Sequence, residues 1–269
     1  MLDGDAELGT DVVTTLHDLR RKGVHIVAAT GRRFDSAAPI LRRAGLDGWV
    51  VVQNGAVVRD LADGRRGRTA YVTSAVGQRL CAAIEAAELD PVVYTDSPRG
   101  PTEFWVPAVP RDPTGFLARY LAATDGHHSP VERLSERALE QITRVVCHAP
   151  QDRLRTLSEA LVGARGEQLR SFEGFDVTQG VHRIEVLSTA ADKWQGVRWV
   201  SQQLEVADAD TVAVGDDAND VEMLRAAGYS FAPSGSHPDA LSAAREVLVG
   251  AHEPAVVVAA LRRHFELDR

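Results

Sequence analysis

Cysteine is scarce in this chain. Cys81 and Cys147 are the only two, too few for a disulfide framework and without metal-site spacing. They read as buried or idle thiols of a reducing cytoplasm. No apolar run is long enough to span a bilayer. The N-terminus carries neither the basic segment nor the apolar run of a signal peptide. Positive charge is not in excess: 30 Lys and Arg against 38 Asp and Glu leave a net charge of -8. That balance argues against non-specific nucleic-acid binding and against anionic membranes. A local basic patch around a phosphate site remains compatible with it. Repeats, low-complexity tracts and charged tails are absent. No G-x-G-x-x-G follows the first strand, which weakens a dinucleotide-binding reading. What remains is 269 residues, 44% apolar and 25% charged, ordinary for a globular protein of one or two domains.

The most informative stretch is Thr211 to Leu224. The apolar run Val212-Ala213-Val214 turns at Gly215 into Asp216-Asp217-Ala218-Asn219-Asp220. Apolar residues then return at helical spacing as Val221, Met223 and Leu224. This reads as a buried strand, a tight acidic loop and a helix start. Ligands of open parallel α/β sheets bind at the carboxyl ends of the strands. Three carboxylates at such an end repel one another unless a cation sits among them. A hard divalent ion with oxygen ligands fits, magnesium first. The alternative is an acidic helix N-terminus, where Asp suits the dipole and Asn caps.

Elsewhere, Asp11–Lys22 forms an amphipathic helix pattern closed by Gly23. Val24–Ala29 reads as a short buried strand ending at Thr30-Gly31-Arg32-Arg33. A hydroxyl, a glycine and two guanidinium groups there suit an anion, and equally an ordinary strand-to-helix turn. Residues Phe34–Ala44 look helical. Trp49–Val52 is the next strand, ending at Gln53-Asn54-Gly55-Ala56, where Asn-Gly signals a tight turn. Asp63-Gly64 with Arg65, Arg66 and Arg68 reads as a solvated hairpin tip. From Ser74 the order becomes mixed, with Thr124–Pro130 a polar loop containing His127 and His128. This middle third looks like an α+β module inserted into an α/β domain. His182–Leu187 is expected to return to the first domain. Ala191-Asp192-Lys193 opens a helix, and a lysine in a first turn opposes the helix dipole. An anion or carboxylate nearby offsets that cost, unless Lys193 simply faces solvent.

Asp3-Gly4, Thr30-Gly31, Lys193 and the loop Gly215–Asp220 occur in that order, most at strand ends, with Asn54-Gly55-Ala56 between them. Over nearly the whole chain this resembles the haloacid dehalogenase (HAD) superfamily of phosphohydrolases, most closely the Cof-type branch with its large cap. The resemblance implies a doubly wound, mainly parallel α/β core of residues 1–73 and 181–269. An α+β cap, 74–180, would be inserted in it and close over the site. It implies a magnesium-dependent phosphatase that hydrolyses a small phosphorylated metabolite, such as a sugar phosphate, through an aspartyl-phosphate. Asp3 matches the proton shuttle, Thr30 the hydroxyl that holds a phosphate oxygen, and Lys193 the screening cation. Catalysis would thus fall to Asp3, Thr30 and Lys193. Thr30, Gly31, Lys193 and Asn219 would bind phosphate, while Asp3, Asp216 and Asp220 would hold Mg2+. Phe104, Trp105, Arg99, His127 and His128 of the cap are candidate substrate contacts, although packing explains the aromatics equally well. The oligomeric state is left open.

One departure matters. The family's nucleophile position falls on Met1, a thioether with no basic oxygen, and Asp5 replaces the expected threonine. The family's first strand is absent, although it lies mid-sheet and pairs on both edges. A start upstream of Met1 is the preferred account. The alternative is a catalytically inactive HAD-like protein that binds metal or a phosphorylated ligand.

Overall fold

The computed structural model describes residues 8–96, 104–111, 115–122, 128–165, 168–176, 180–250 and 253–267. Met1, Asp3, Gly4, Asp5, Arg99 and His127 lie outside the described residues. In chain order the elements are α1 (Thr10–Arg21), β1 (Ala28–Ala29), α2 (Phe34–Arg43), β2 (Trp49–Val52), β3 (Val57–Asp60) and β4 (Arg66–Thr69). There follow α3 (Ser74–Ala86), β5 (Pro91–Thr95), β6 (Phe104–Pro107), α4 (Phe116–Ala122), β7 (His128–Val131), β8 (Ile142–Ala149), α5 (Gln151–Arg165), β9 (Leu169–Asp176) and β10 (Val181–Ser188). The last stretch holds α6 (Lys193–Gln203), β11 (Val212–Val214), α7 (Val221–Ala226), β12 (Tyr229–Pro233), α8 (Pro238–Ala243), β13 (Glu246–Leu248) and α9 (Glu253–His264). They divide into two compact units, Met1–Thr69 with Asp192–Arg269, and Ala70–Ala191.

The first unit carries two sheets, β1-β2-β3-β4 and β11-β12-β13. β1 runs parallel to β2, and β2, β3 and β4 continue as an antiparallel meander. β11, β12 and β13 are parallel throughout. Val50, Val51 and Val52 are fully buried, as their unbroken β-branched run implies. Helix α6 packs on β1 and β2. Gly196 permits that approach, because a Cβ there would fall 2.4 Å from a Val51 methyl. The strand expected over Val24–Ala29 is realised only at Ala28–Ala29. Among the described residues, β1 has a strand partner on one side alone, which limits the length of its ladder.

The second unit is an antiparallel sheet of order β7-β6-β5-β8-β10-β9, with only β6 and β7 parallel. Alternation sends Val93, Val145 and Ile184 into one apolar cluster with Leu80, Ile84, Leu157 and Leu161 of α3 and α5. Val92, Tyr94, Phe104 and Val146 pack with Leu117 of α4 instead. Here two expectations are corrected. Val181–Ser188 does not return to the first unit, because both its edges are satisfied antiparallel by β8 and β9. His128 does not sit in a loop but opens β7, pairing with Phe104 of β6. Cys81 and Cys147 are free and buried, and burial pushes the Cys81 thiol up to about 12. Among the described residues, no helix is long and apolar enough to cross a membrane.

Candidate functional site

The described residues expected to hold metal and phosphate belong to the first unit, at the ends of β1 and β11 and the start of α6, whereas Phe104, Trp105 and His128 belong to the second. Lys193 is the first residue of α6, capped by Asp192, whose carboxylate accepts from the Gln195 amide at 2.8 Å. Lys193 is 7% exposed. A buried ammonium at the positive end of a helix needs a counter-charge, and Asp220 supplies it. Lys193 Nζ donates to Asp220 Oδ1 at 2.7 Å and to Asn219 Oδ1 at 2.8 Å.

The three loop carboxylates divide their tasks. Asp217 caps its own turn, accepting from the Ala218 amide at 2.7 Å. Asp220 turns inward: one oxygen meets Lys193, and the other accepts from the backbone amides of Asp216 and Asp217 at 3.2 Å each. Gly215 makes room for it, since a Cβ there would lie 2.6 Å from the Asp220 Cβ. Asp216 remains solvent-accessible, and its carboxylate accepts no hydrogen bond among the described residues. Partial burial of that carboxyl, then the Asp220 and Asp217 charges, hold it above the usual carboxylate range against the pull of Lys193. An accessible oxygen donor with no hydrogen-bond partner among the described residues, destabilised by two neighbouring carboxylates, fits a hard divalent cation. No group of three His, Cys, Asp or Glu side chains among the described residues forms a complete cage. Asp216 would therefore share such an ion with oxygens from elsewhere.

Hydrogen bonds carry the arrangement across to β1. Asn219 Nδ2 donates to Asn54 Oδ1 at 3.1 Å, and the Asn54 amide donates to the Thr30 carbonyl at 3.1 Å. Thr30 Oγ1 accepts from the Arg32 amide at 3.1 Å, which leaves the hydroxyl proton available to an anion. Gly31 lies against Asn54, where a Cβ would come within 2.8 Å of Oδ1. The structure thus brings Thr30, Gly31, Lys193, Asp216, Asn219 and Asp220 together in one hydrogen-bonded corner. Asp3 lies outside the described residues.

Two participants were missed. Asn54 reads in the sequence as a tight-turn residue and as part of the family-like Asn54-Gly55-Ala56 stretch, not as a site residue, yet it links Thr30 to Asn219. The Asn54-Gly55 pair was the legible signal, and the structure gives it left-handed backbone, φ 55° at Asn54 and 87° at Gly55. Gly55 is packed so tightly that a Cβ would fall 1.9 Å from the Asp192 carbonyl oxygen. Arg68, expected in a solvated hairpin tip, is half-buried and donates to the Gly55 carbonyl at 3.0 Å. Burial lowers its pKa, and the Asp192 charge opposes that shift.

A family model described as haloacid dehalogenase-like hydrolase matches residues 1–261. Phosphatase YwpJ of Bacillus subtilis is 24% identical over 260 residues, covering 92% of this chain and 90% of that protein. An HMP-PP phosphatase of Cronobacter sakazakii is 25% identical over 243 residues, covering 90% and 83%. A solved haloacid dehalogenase-like hydrolase from B. subtilis superposes with a TM-score of 0.76 at 21% identity, over 97% of this chain and 95% of that one.

Proposed function

This chain belongs to the haloacid dehalogenase-like hydrolases, and from that premise we propose that it binds and hydrolyses a small phosphorylated metabolite with Mg2+. The observation that carries the reading is the buried Lys193, fixed between Asn219 and Asp220 near an accessible Asp216 whose carboxylate accepts no hydrogen bond among the described residues. Asp216 would hold the ion, with Asp3 as a further carboxylate by resemblance. When bound, Mg2+ supplies positive charge that neutralises and orients a phosphoryl group.

The chain's own residues do the rest. Lys193 brings a fixed cation to the phosphoryl oxygens at no cost in reorganisation, because its ammonium is already held. Thr30 offers a hydroxyl proton to another oxygen. Asp220 keeps Lys193 in place and sets the backbone that presents Asp216. Asp3, by resemblance, would move the proton to the leaving group. In-line displacement also needs a carboxylate nucleophile, which the resemblance would place at the position of Met1.

Phosphate release from a broad panel of phosphate esters, sugar phosphates included, tests the reading. The assay uses a chain extended by an apolar strand that ends in aspartate at the Met1 position. Mg2+-dependent turnover of at least one ester is expected. No turnover on any ester, with or without metal, would defeat it.

The second reading is a phosphatase-like protein that binds without turnover. Tight binding of a phosphate ester by this chain, with no release of phosphate by it or by the extended chain, would support it.

A further inference from the structure

β2 ends in a turn whose backbone is left-handed at three consecutive residues, φ 50° at Gln53, 55° at Asn54 and 87° at Gly55. Glycine takes that region freely, whereas a residue with a Cβ does so at a cost. Backbone held there persists where its surroundings over-determine it, and such places gather at functional sites. The clamps on this turn come from separate elements. The Gln53 amide donates to the Arg32 carbonyl at 3.0 Å, and the Asn54 amide to the Thr30 carbonyl at 3.1 Å. Arg68 of β4 donates to the Gly55 carbonyl, and Gly55 packs against the carbonyl of Asp192, the cap of α6. Two successive amides thus hold the carbonyls of the residues that flank Gly31.

Asn54 is buried, and its carboxamide joins the loop after β11. Charge fixes the direction of that bond. The Lys193 ammonium has donors only, so Asn219 must turn its carboxamide oxygen to it. The Asn219 amide nitrogen then donates to Asn54, which answers with Oδ1. The same oxygen packs on Gly31, where a side chain would displace it. Asn54 therefore reaches Thr30 through its backbone, and Lys193 through its side chain by way of Asn219.

We propose that Asn54 is a positioning residue for the phosphoryl group, setting the Thr30 hydroxyl and the Lys193 ammonium at the separation that lets both meet one phosphate. The proposal rests on the phosphoryl-binding reading above and gives a task to a residue outside that set. Asn54 acts through Thr30 and Asn219 rather than on the anion. Donors already in place meet an anion without reorganisation, so a change in their separation is read as lost affinity for phosphate. Asp216 is presented from the Asp220 side of its loop, so affinity for Mg2+ should not follow.

Asn54→Gly isolates the carboxamide, because glycine accepts the left-handed backbone and keeps the amide that holds Thr30. Calorimetry reads Mg2+ alone, then inorganic phosphate with Mg2+ saturating, and thermal unfolding reads the fold. Gly48→Ala is the control, a strained turn at the other end of β2. In Asn54→Gly, phosphate should bind roughly tenfold more weakly or worse, with Mg2+ affinity unchanged and unfolding still cooperative. Gly48→Ala should keep both affinities despite its strain. Undiminished phosphate affinity in Asn54→Gly, or an equal loss in Gly48→Ala, would overturn the proposal. So would joint loss of Mg2+ and phosphate, or loss of cooperative unfolding, because Asn54 would then serve the fold alone. A parent that takes no phosphate with Mg2+ would sink the phosphoryl-binding reading and this proposal with it, whereas the other outcomes strike Asn54 only.

Discussion

Lys193 and Asp220 form a buried ion pair, Nζ to Oδ1 2.7 Å, with both side chains almost fully covered. The other Asp220 oxygen holds the backbone amides of Asp216 and Asp217. One carboxylate therefore positions the cation and shapes the loop. Removing one partner of a buried pair leaves the other charge uncompensated, at a cost of about 3–5 kcal/mol. Lys193→Met is expected to lose stability on that order in urea unfolding, and to lose phosphate binding as well. A loss below about 1 kcal/mol would show that the pair is solvated, on the scale of surface ion pairs.

Asp216 should behave in the opposite way. It is accessible, and its carboxylate makes no hydrogen bond among the described residues. Asp216→Asn is expected to leave the metal-free protein within about 0.5 kcal/mol of the parent, as at other accessible positions. It should abolish the stabilisation by Mg2+, which for a site filled at a hundredfold excess over Kd is about 2.7 kcal/mol. Thermal unfolding of both proteins with and without Mg2+ separates the two effects. Equal metal response in parent and variant would remove Asp216 from the ion site.

Gly55 and Gly48 make a matched pair for the turn that carries Asn54. Both have positive φ, 87° and 79°, but only Gly55 lies against backbone, at the Asp192 carbonyl. Alanine at Gly48 meets nothing within 4 Å, so only left-handed strain of about 1–2 kcal/mol applies. Gly55→Ala adds overpacking against α6, for a total of roughly 2–5 kcal/mol. Denaturant midpoints of the two variants should differ in that order. Equal costs would mean that the turn does not dock on the helix.

The second unit carries its own acid-sensitive element. Glu185 is buried, which by itself would raise its pKa, but Arg144 and Arg183 hold it below its ordinary 4.5. Its oxygens lie 2.8 Å from Arg144 Nη1 and 2.7 Å from Arg183 Nε. A carboxyl with a depressed folded pKa contributes stability that is present above its unfolded value and lost as pH falls through its folded one. Protection of the β8 and β10 amides, taken relative to their intrinsic exchange rates, is expected to fall below pH about 4.5 in the parent. Glu185→Gln should weaken both strands at neutral pH and flatten that pH response. An unchanged acid response in the variant would exclude Glu185 as its source.

Much of this was legible in the sequence, for identifiable reasons. The acidic loop could be read because strand, turn and helix each left a local pattern from Val212 to Leu224. Lys193 stood out through an electrostatic conflict, a cation in a first turn, and Asp220 resolves it. What escaped was non-local. Val181–Ser188 has the pattern of a buried strand in any sheet, so its partners β8 and β9 could not be read from it. Arg68 looked like a loop charge, because nothing in its neighbours announces the Gly55 carbonyl. The shortening of β1 to Ala28–Ala29 depends on what lies beside it rather than on its own β-branched residues.

The central claim is that Asp216 and Lys193 build a phosphoryl site that is complete only with a divalent ion. Calorimetric titration of inorganic phosphate into the chain, with and without Mg2+, tests it most directly. Saturable phosphate binding that requires Mg2+ and vanishes in both Asp216→Asn and Lys193→Met is the predicted result. Phosphate binding that is indifferent to Mg2+, or that survives in either variant, would contradict it.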